Sequence, residues 1–339
     1  MLVVMADDGI AFDGATPDHA PLGGAEGAFV ALAEGFAALG HRVEVRNRCV
    51  APLQRNGVGW APLAQGMPEE AGLYIANRGN RLIGLVRRAE RRIFWIHNPG
   101  RYLKKPRYIA ALLRHWPVIV TTGRYHAASV PWWMPGGRAD IPYGLPEVFR
   151  RARPERAPPP PRAIFTSNPL RGLAWLLALW EREIFPALPQ AELHLYCGAE
   201  VYGGAKAAEI SAVLARADAL VDKGVRRHAP LPRDKLIEVL EASRVMLYRG
   251  DVGETFCLAV AEAQALGVPA VVQPLGAVGE RVIDGETGVV APDEASFVRA
   301  ALALLGDDAL WRRQHGAALQ RQKGASWQDV AGRFLALAS

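Results

Sequence analysis

Apolar positions along the chain follow two periods. Residues 2–5 are a short unbroken apolar run, as in a buried strand. A loop rich in Gly, Asp and Pro follows and ends in Pro21-Leu22-Gly23-Gly24. Ala25, Phe29, Leu32, Phe36 and Leu39 then recur at helical spacing, which is the core-facing stripe of a helix. Gly40 supplies its C-terminal stop. Val43 and Val45 alternate with polar neighbours, as a strand does. Strand, glycine-rich loop, helix and strand form a βαβ unit, hence a parallel sheet with right-handed crossovers. Residues 93–96 and 118–120 are further strand candidates.

The pattern breaks near position 150. Phe149-Arg150-Arg151-Ala152-Arg153 leads into Pro158-Pro159-Pro160-Pro161, which no helix or inner strand accommodates. The alternation then restarts. Residues 163–166, 193–196, 245–248 and 270–272 read as strands, and 173–180, 234–242 and 258–266 as helices. The last helix, 327–338, is amphipathic. The expectation is an α/β protein of two doubly wound, Rossmann-like domains facing across a cleft. They would be an N-terminal domain (1–150), a Pro-rich linker (151–162) and a C-terminal domain (163–322), followed by a helical segment (323–339). Ligands of such sheets bind at the carboxyl ends of the strands.

Composition narrows the class. With 339 residues, 50% hydrophobic and 22% charged, the chain is globular and not disordered. The longest apolar run, 173–180, is about eight residues, against about 20 for a membrane span. The N-terminus has no basic region ahead of its apolar run, so no signal peptide is expected. Cys49, Cys197 and Cys257 are too few and scattered for a disulfide framework or a zinc site, which points to the cytoplasm. The net charge of +6 is mild but uneven. Arg87, Arg88, Arg91, Arg92, Arg101, Lys104, Lys105, Arg107 and Arg114 crowd one stretch. Such a stretch suits phosphates, anionic lipid or nucleic acid, and equally a solvated helical face. No zinc-finger spacing or RNP-like aromatic motif accompanies it, so no nucleic-acid partner is expected. Trp132-Trp133-Met134 lies nearby in sequence. With the basic stretch it suggests an anionic or lipid-linked partner at a membrane surface, or else two tryptophans packed in the core.

The stretch richest in chemistry is Gly253-Glu254-Thr255-Phe256-Cys257-Leu258-Ala259-Val260-Ala261-Glu262-Ala263. It follows a strand and opens a helix, whose unpaired N–H groups and dipole favour an anion such as a diphosphate. If both carboxylates were helical, they would lie about 80° apart and share one side. Phosphates repel carboxylates, so the partners of Glu254 and Glu262 should be hydroxyls. A sugar nucleotide supplies both phosphates and hydroxyls. Taken alone, the two carboxylates also fit a surface loop and a solvated helix.

The stretch resembles the Glu-x7-Glu motif of retaining glycosyltransferases of family 4 (glycosyl transferases group 1), which have the GT-B fold. Other motifs match in the family's order. Gly23-Gly24-Ala25-Glu26 with Leu39-Gly40-His41-Arg42-Val43 resembles its opening, and Ile141-Pro142-Tyr143-Gly144-Leu145 the end of its first domain. Gly267-Val268-Pro269-Ala270-Val271, Gly276-Ala277-Val278-Gly279-Glu280 and Asp284-Gly285-Glu286-Thr287-Gly288 resemble downstream motifs. Ser326-Trp327 opens a helix like the one that returns to the first domain. The resemblance implies that Glu254 contacts the donor sugar and Glu262 the ribose hydroxyls. The amides of Phe256, Cys257 and Leu258 would face the phosphates, and Gly23 and Gly24 would let a loop approach them. His97, in Trp95-Ile96-His97-Asn98, sits where the family carries a sugar-contacting His. Where the family has an Arg and a Lys on the leaving diphosphate, this chain has Thr166 and Arg171. One cation is kept and the other is missing.

The resemblance therefore implies a hexosyltransferase acting on a nucleoside-diphosphate sugar and an acceptor hydroxyl, with Glu254, Arg171 and His97 as catalytic residues. No cofactor is expected. The chain has no Asp-x-Asp pair to hold a metal on the diphosphate, so transfer without a metal is expected. A sugar-nucleotide epimerase, a phosphorylase or a non-catalytic sugar-nucleotide-binding protein are the rivals, the last prompted by the missing Arg.

Overall fold

The computed structural model of the chain describes residues 1–20, 22–198 and 206–338. Pro21 of the N-terminal loop lies outside them. The chain forms two units, Met1–Pro146 with Ala325–Ser339, and Glu147–Gly324.

The first unit is built on an eight-stranded sheet. Its strands are β1 (Leu2–Asp7), β2 (Arg42–Asn47), β3 (Leu53–Arg55), β4 (Val58–Pro62), β5 (Glu70–Asn77), β6 (Arg88–Trp95), β7 (Val118–Thr121) and β8 (Gly137–Asp140). The order is β3-β4-β2-β1-β5-β6-β7-β8, and every pairing is parallel except β3 with β4. The helix Gly24–Ala38 makes the expected crossover from β1 to β2, burying Phe29, Leu32 and Phe36. The helix Trp327–Ala336 packs against it, with Phe334 edge-on to Phe36 at 6.3 Å. A capping box between Ser326 and Asp329 starts that helix.

The second unit has six parallel strands: β9 (Arg162–Phe165), β10 (Glu192–Tyr196), β11 (Val225–His228), β12 (Val245–Tyr248), β13 (Ala270–Val272) and β14 (Gly288–Val290). Their order is β11-β10-β9-β12-β13-β14. β9 and β12 are apolar on both faces because helices cover both sides of the sheet. The proline run lies within this unit and is held by the chain around it. Arg153 Nε pairs with Glu241 at 2.5 Å, Arg156 Nη2 donates to the Leu266 carbonyl at 2.8 Å, and Arg244 Nη1 donates to the Pro159 carbonyl at 3.2 Å.

Candidate active site

In the second sheet the chain leaves β9 for β10 on one side and continues through β12 on the other. The β9–β12 pair is thus its switch point, where ligands bind beyond the carboxyl ends of the strands. Residues just past those ends build a connected cluster. Ser167 Oγ lies 3.2 Å from the Tyr248 hydroxyl. That hydroxyl lies 2.9 and 3.1 Å from the two oxygens of Glu254. A turn closed by the Arg171 N–H on the Asn168 carbonyl, 2.9 Å, delivers Arg171, whose Nη1 is 3.5 Å from Glu254 Oε1.

Glu254 is not helical, so the helical spacing considered for the two carboxylates does not apply. Its helix begins only at Leu258. A tight turn fixes Glu254 instead: its N–H donates to the Asp251 carbonyl at 2.9 Å, and its own carbonyl accepts the Ala277 N–H at 2.9 Å. Gly276, at φ +65°, lies against this turn. A Cβ there would come within 2.9 Å of the Glu254 carbonyl oxygen and overlap that of Asp251. Burial pushes the Glu254 carboxyl above its usual range, opposed by Arg171 and by the Tyr248 hydrogen bond. Burial alone would lower the Arg171 guanidinium, but Glu254 together with Tyr248, Asp251 and Cys257 outweighs it and the net shift is upward.

Phe256 is buried with the Arg281 guanidinium 4.2 Å from its ring centroid. Cys257 takes φ +71°, a left-handed residue that turns the chain into the helix Leu258–Ala265. The first-turn amides from Leu258 onward have no carbonyl within the helix to bond. Burial pushes the Cys257 thiol well up, so it is not a poised thiolate. Glu262 lies buried on the same helix. Its Oε1 has no hydrogen-bond partner, and Arg233 Nε is 3.6 Å away, beyond hydrogen-bond reach. Burial raises this carboxyl and Arg233 opposes the shift. Thr166 Oγ1 and Arg171 Nη1 are also buried without a hydrogen-bond partner.

The first unit has its own switch point, between β1 and β5, with Asp7 and Asn77 as register partners at the strand ends. Asn77 Nδ2 donates to Asp7 Oδ2 at 2.5 Å, and Arg78 Nη2 pairs with the same oxygen at 2.7 Å. Arg78 Nη1 pairs with Glu26 at 2.7 Å. Asn77 Oδ1 is therefore the acceptor for His97 Nε2, 2.5 Å away, which leaves His97 Nδ1 to accept from the Tyr143 hydroxyl. Burial, with Arg78 and His126 nearby, holds His97 neutral. Gly23 caps the helix Gly24–Ala38, whose first turn carries Glu26.

His97 is thus buried in a network of Asp7, Asn77, Arg78 and Tyr143, which the sequence analysis did not assemble. Glu26 and Tyr143 stood inside recognised motifs, but Asp7, Asn77 and Arg78 carried no local signal. The basic stretch does not form one surface. Arg92 donates to the Ile83 and Val86 carbonyls at 2.6 and 2.9 Å, and Arg88 pairs with Glu69 and Glu70. Trp132 and Trp133 are exposed and do not pack in the core. Among the described residues no group of three His, Cys, Asp or Glu side chains is placed to hold a metal ion.

Residues 161–307, inside the second unit, match the family described as Glycosyl transferases group 1. The chain is 36% identical over 125 residues to the glycogen synthase of Mycobacterium tuberculosis (strain ATCC 25618 / H37Rv). That match covers 34% of this chain and 30% of the relative's own length. The fold of the whole chain is GT-B. It superposes on sucrose-phosphate synthase from Thermosynechococcus elongatus with a TM-score of 0.78, at 17% identity, covering 99% of this chain and 98% of that one. A protein from Anabaena, solved in complex with UDP-glucose, gives a TM-score of 0.72 at 14% identity and covers 99% of each chain. The segment that matches this family carries Arg171, Glu254 and Glu262.

Proposed function

We propose that the protein is a retaining glycosyltransferase. It moves a hexose-type sugar from a nucleoside diphosphate to an acceptor hydroxyl, without a metal. The observation that carries this reading is Glu262. A buried carboxylate with an unpaired oxygen is costly unless a ligand completes its hydrogen bonds. This one lies on the helix whose N-terminus suits a diphosphate, so ribose hydroxyls are the matching donors. The UDP-glucose bound by the Anabaena protein has the same chemistry.

In this mechanism Leu258 and the preceding amides of Phe256 and Cys257 hold the phosphates. Arg171 stabilises the charge that develops as the diphosphate leaves. Glu254, fixed by Tyr248 and Arg171, orients the sugar through its hydroxyls. The acceptor attacks from the face that the leaving group vacates, and the departing phosphate takes its proton. The first unit takes the acceptor, which we read as a glycan or lipid-linked alcohol at the inner face of the cytoplasmic membrane. Among the described residues no helix is long and apolar enough to cross a membrane, so contact would be peripheral. His97 and the helix start at Gly23 and Gly24 belong to the polar end of that unit, with the imidazole neutral and fixed.

One observation favours a second reading. Thr166 replaces a cation and its buried hydroxyl oxygen has no partner, which also suits a protein that binds sugar nucleotides without turning them over. A thermal-shift panel of nucleoside diphosphates and sugar nucleotides, followed by transfer assays, tests both. Ligands that bind the native state raise the melting temperature. A selective rise with transfer supports the enzyme, and a rise without transfer to any acceptor supports the binding protein. No rise with any nucleotide contradicts both.

A further inference from the structure

The first unit carries another feature, at the opposite end of its sheet from Asp7, Asn77 and His97. Trp116 follows the helix Pro106–His115 and precedes β7, while Trp132 and Trp133 precede β8. The Gly137 N–H donates to the Pro117 carbonyl at 3.1 Å, which brings these two connections together. The loop before β6 joins them, since a Cβ on Gly84 would run into the His115 ring. Trp132 is 87% exposed, Trp116 64% and Trp133 46%, with Leu85 and Leu113 exposed beside them.

This exposure is held in place. The Arg138 guanidinium binds the carbonyls of Pro131 and Trp132, the latter at 2.8 Å, and so fixes the tryptophan loop. Trp116 takes φ +42°, unusual for a bulky residue, and its N–H donates to the Leu112 carbonyl at 2.8 Å. The rim is cationic. Arg88 is neutralised by Glu69 and Glu70, but the exposed Arg87 and Arg114 make no ion pair among the described residues.

We propose that this surface docks the protein on an anionic lipid bilayer. Tryptophan favours the headgroup layer, where its ring is half apolar and its N–H stays wet. Unpaired arginines beside it match a negative leaflet. The inference goes beyond the acceptor reading and does not rest on it, since the surface lies at the end of the sheet away from His97. The docking itself needs no donor and is measured without one.

The test is co-sedimentation of the full chain with vesicles of phosphatidylcholine alone and of phosphatidylcholine with about 30% phosphatidylglycerol, whose surface is negative. The expected result is at least tenfold stronger binding to the anionic vesicles, weakening with salt. Trp132→Ser with Trp133→Ser should lower it at least tenfold. Arg87→Gln with Arg114→Gln should lower it by roughly fivefold per charge. All these side chains are exposed, so melting temperature and nucleotide binding should stay unchanged. Loss of vesicle binding alone thus separates docking from the donor reading. Equal binding to neutral and anionic vesicles, or unchanged binding in the tryptophan variant, overturns the proposal. So does a wild type that self-associates in sedimentation velocity and becomes monomeric in that variant, which would assign the surface to a second copy of the chain.

Discussion

Arg233 Nε lies 3.6 Å from Glu262 Oε1, close enough for an ion pair and too far for a hydrogen bond. Burial raises the Glu262 carboxyl and the arginine opposes that shift. The arginine therefore favours the ionised form, while the lone pairs of Oε1 remain available to a ligand. The sign follows: donor affinity falls as pH drops toward the raised pKa of Glu262, because a protonated carboxyl loses accepting capacity. Arg233→Gln removes the opposing charge and should move this loss to higher pH. Dissociation constants for a nucleoside diphosphate between pH 5 and pH 8, a range spanning about three decades in proton activity, check it. Superimposable profiles for wild type and variant would contradict the role given to Arg233.

Arg171 should matter for turnover more than for folding. Its side chain is partly exposed, Nη1 makes no hydrogen bond, and its link to the fold is the 3.5 Å ion pair with Glu254. Removing one electrostatic partner of a developing charge costs about 100- to 1000-fold in rate. Arg171→Ala should show that loss in kcat with a small change in melting temperature. Arg171→Lys should retain part of the activity, because a point charge replaces the fork. Near-normal turnover in the alanine variant would remove Arg171 from the mechanism.

Gly276→Ala should destabilise the second unit by about 1–3 kcal/mol, through a strained positive φ and overlap with the Asp251 carbonyl. Gly279→Ala is the control, since the nearest atom to its Cβ would be 3.7 Å away, an ordinary contact. Thermal unfolding of both variants decides the point. Equal losses would show that the close approach of Gly276 to the Glu254 turn is not what its position requires.

Low pH should weaken the first unit through His126. Its Nδ1 accepts the Thr122 N–H at 3.1 Å and its Nε2 donates to the Asn98 carbonyl at 2.9 Å. Burial pushes it down to about 4, from an unfolded value of 6.5. The unfolded chain thus takes up a proton that the folded chain refuses, and stability is lost as pH falls from about 6.5 toward 4. Between pH 7 and pH 5 this amounts to about 2 kcal/mol. Neutral, buried His97 adds to it in the same direction. His126→Gln should melt lower at pH 7 and lose less on acidification. A loss on acidification equal to that of wild type would contradict the assignment.

The elements that opened and closed the sequence reading were legible because their periods were clean. The stripe from Ala25 to Leu39 gave its helix, and Gly40, at φ +82°, ends it. β5, beside β1 in the middle of the first sheet, was missed. It is buried over most of its length, so it shows no alternation, and its apolar run is broken by Gly72 and closed by Asn77. β11 was missed because it is short and mostly basic, and β14 because only three residues, Gly-Val-Val, form it. The helix expected over 173–180 continues through a π turn at Trp180–Ile184, whose charged residues masked it. Glu254, Glu262 and Arg171 were visible because they stand in local motifs. Tyr248, the hydrogen-bond partner of Glu254, was read only as a strand residue. Asp7 and Asn77 meet across 70 residues, and only sheet register brings them together.

The central claim is that Glu262 reads the ribose of a nucleoside diphosphate. Hydrogen bonds to a charged acceptor are worth roughly 1.5–3 kcal/mol each, and 1.4 kcal/mol is about one decade in affinity. Calorimetric titration of wild type and Glu262→Ala with a ribonucleoside diphosphate and with its 2′,3′-dideoxy analogue measures the contact directly. The account predicts that the variant loses at least about tenfold for the ribose ligand and little for the dideoxy ligand, which lacks both hydroxyls. Equal losses for the two ligands would contradict it and return Glu262 to a purely structural role.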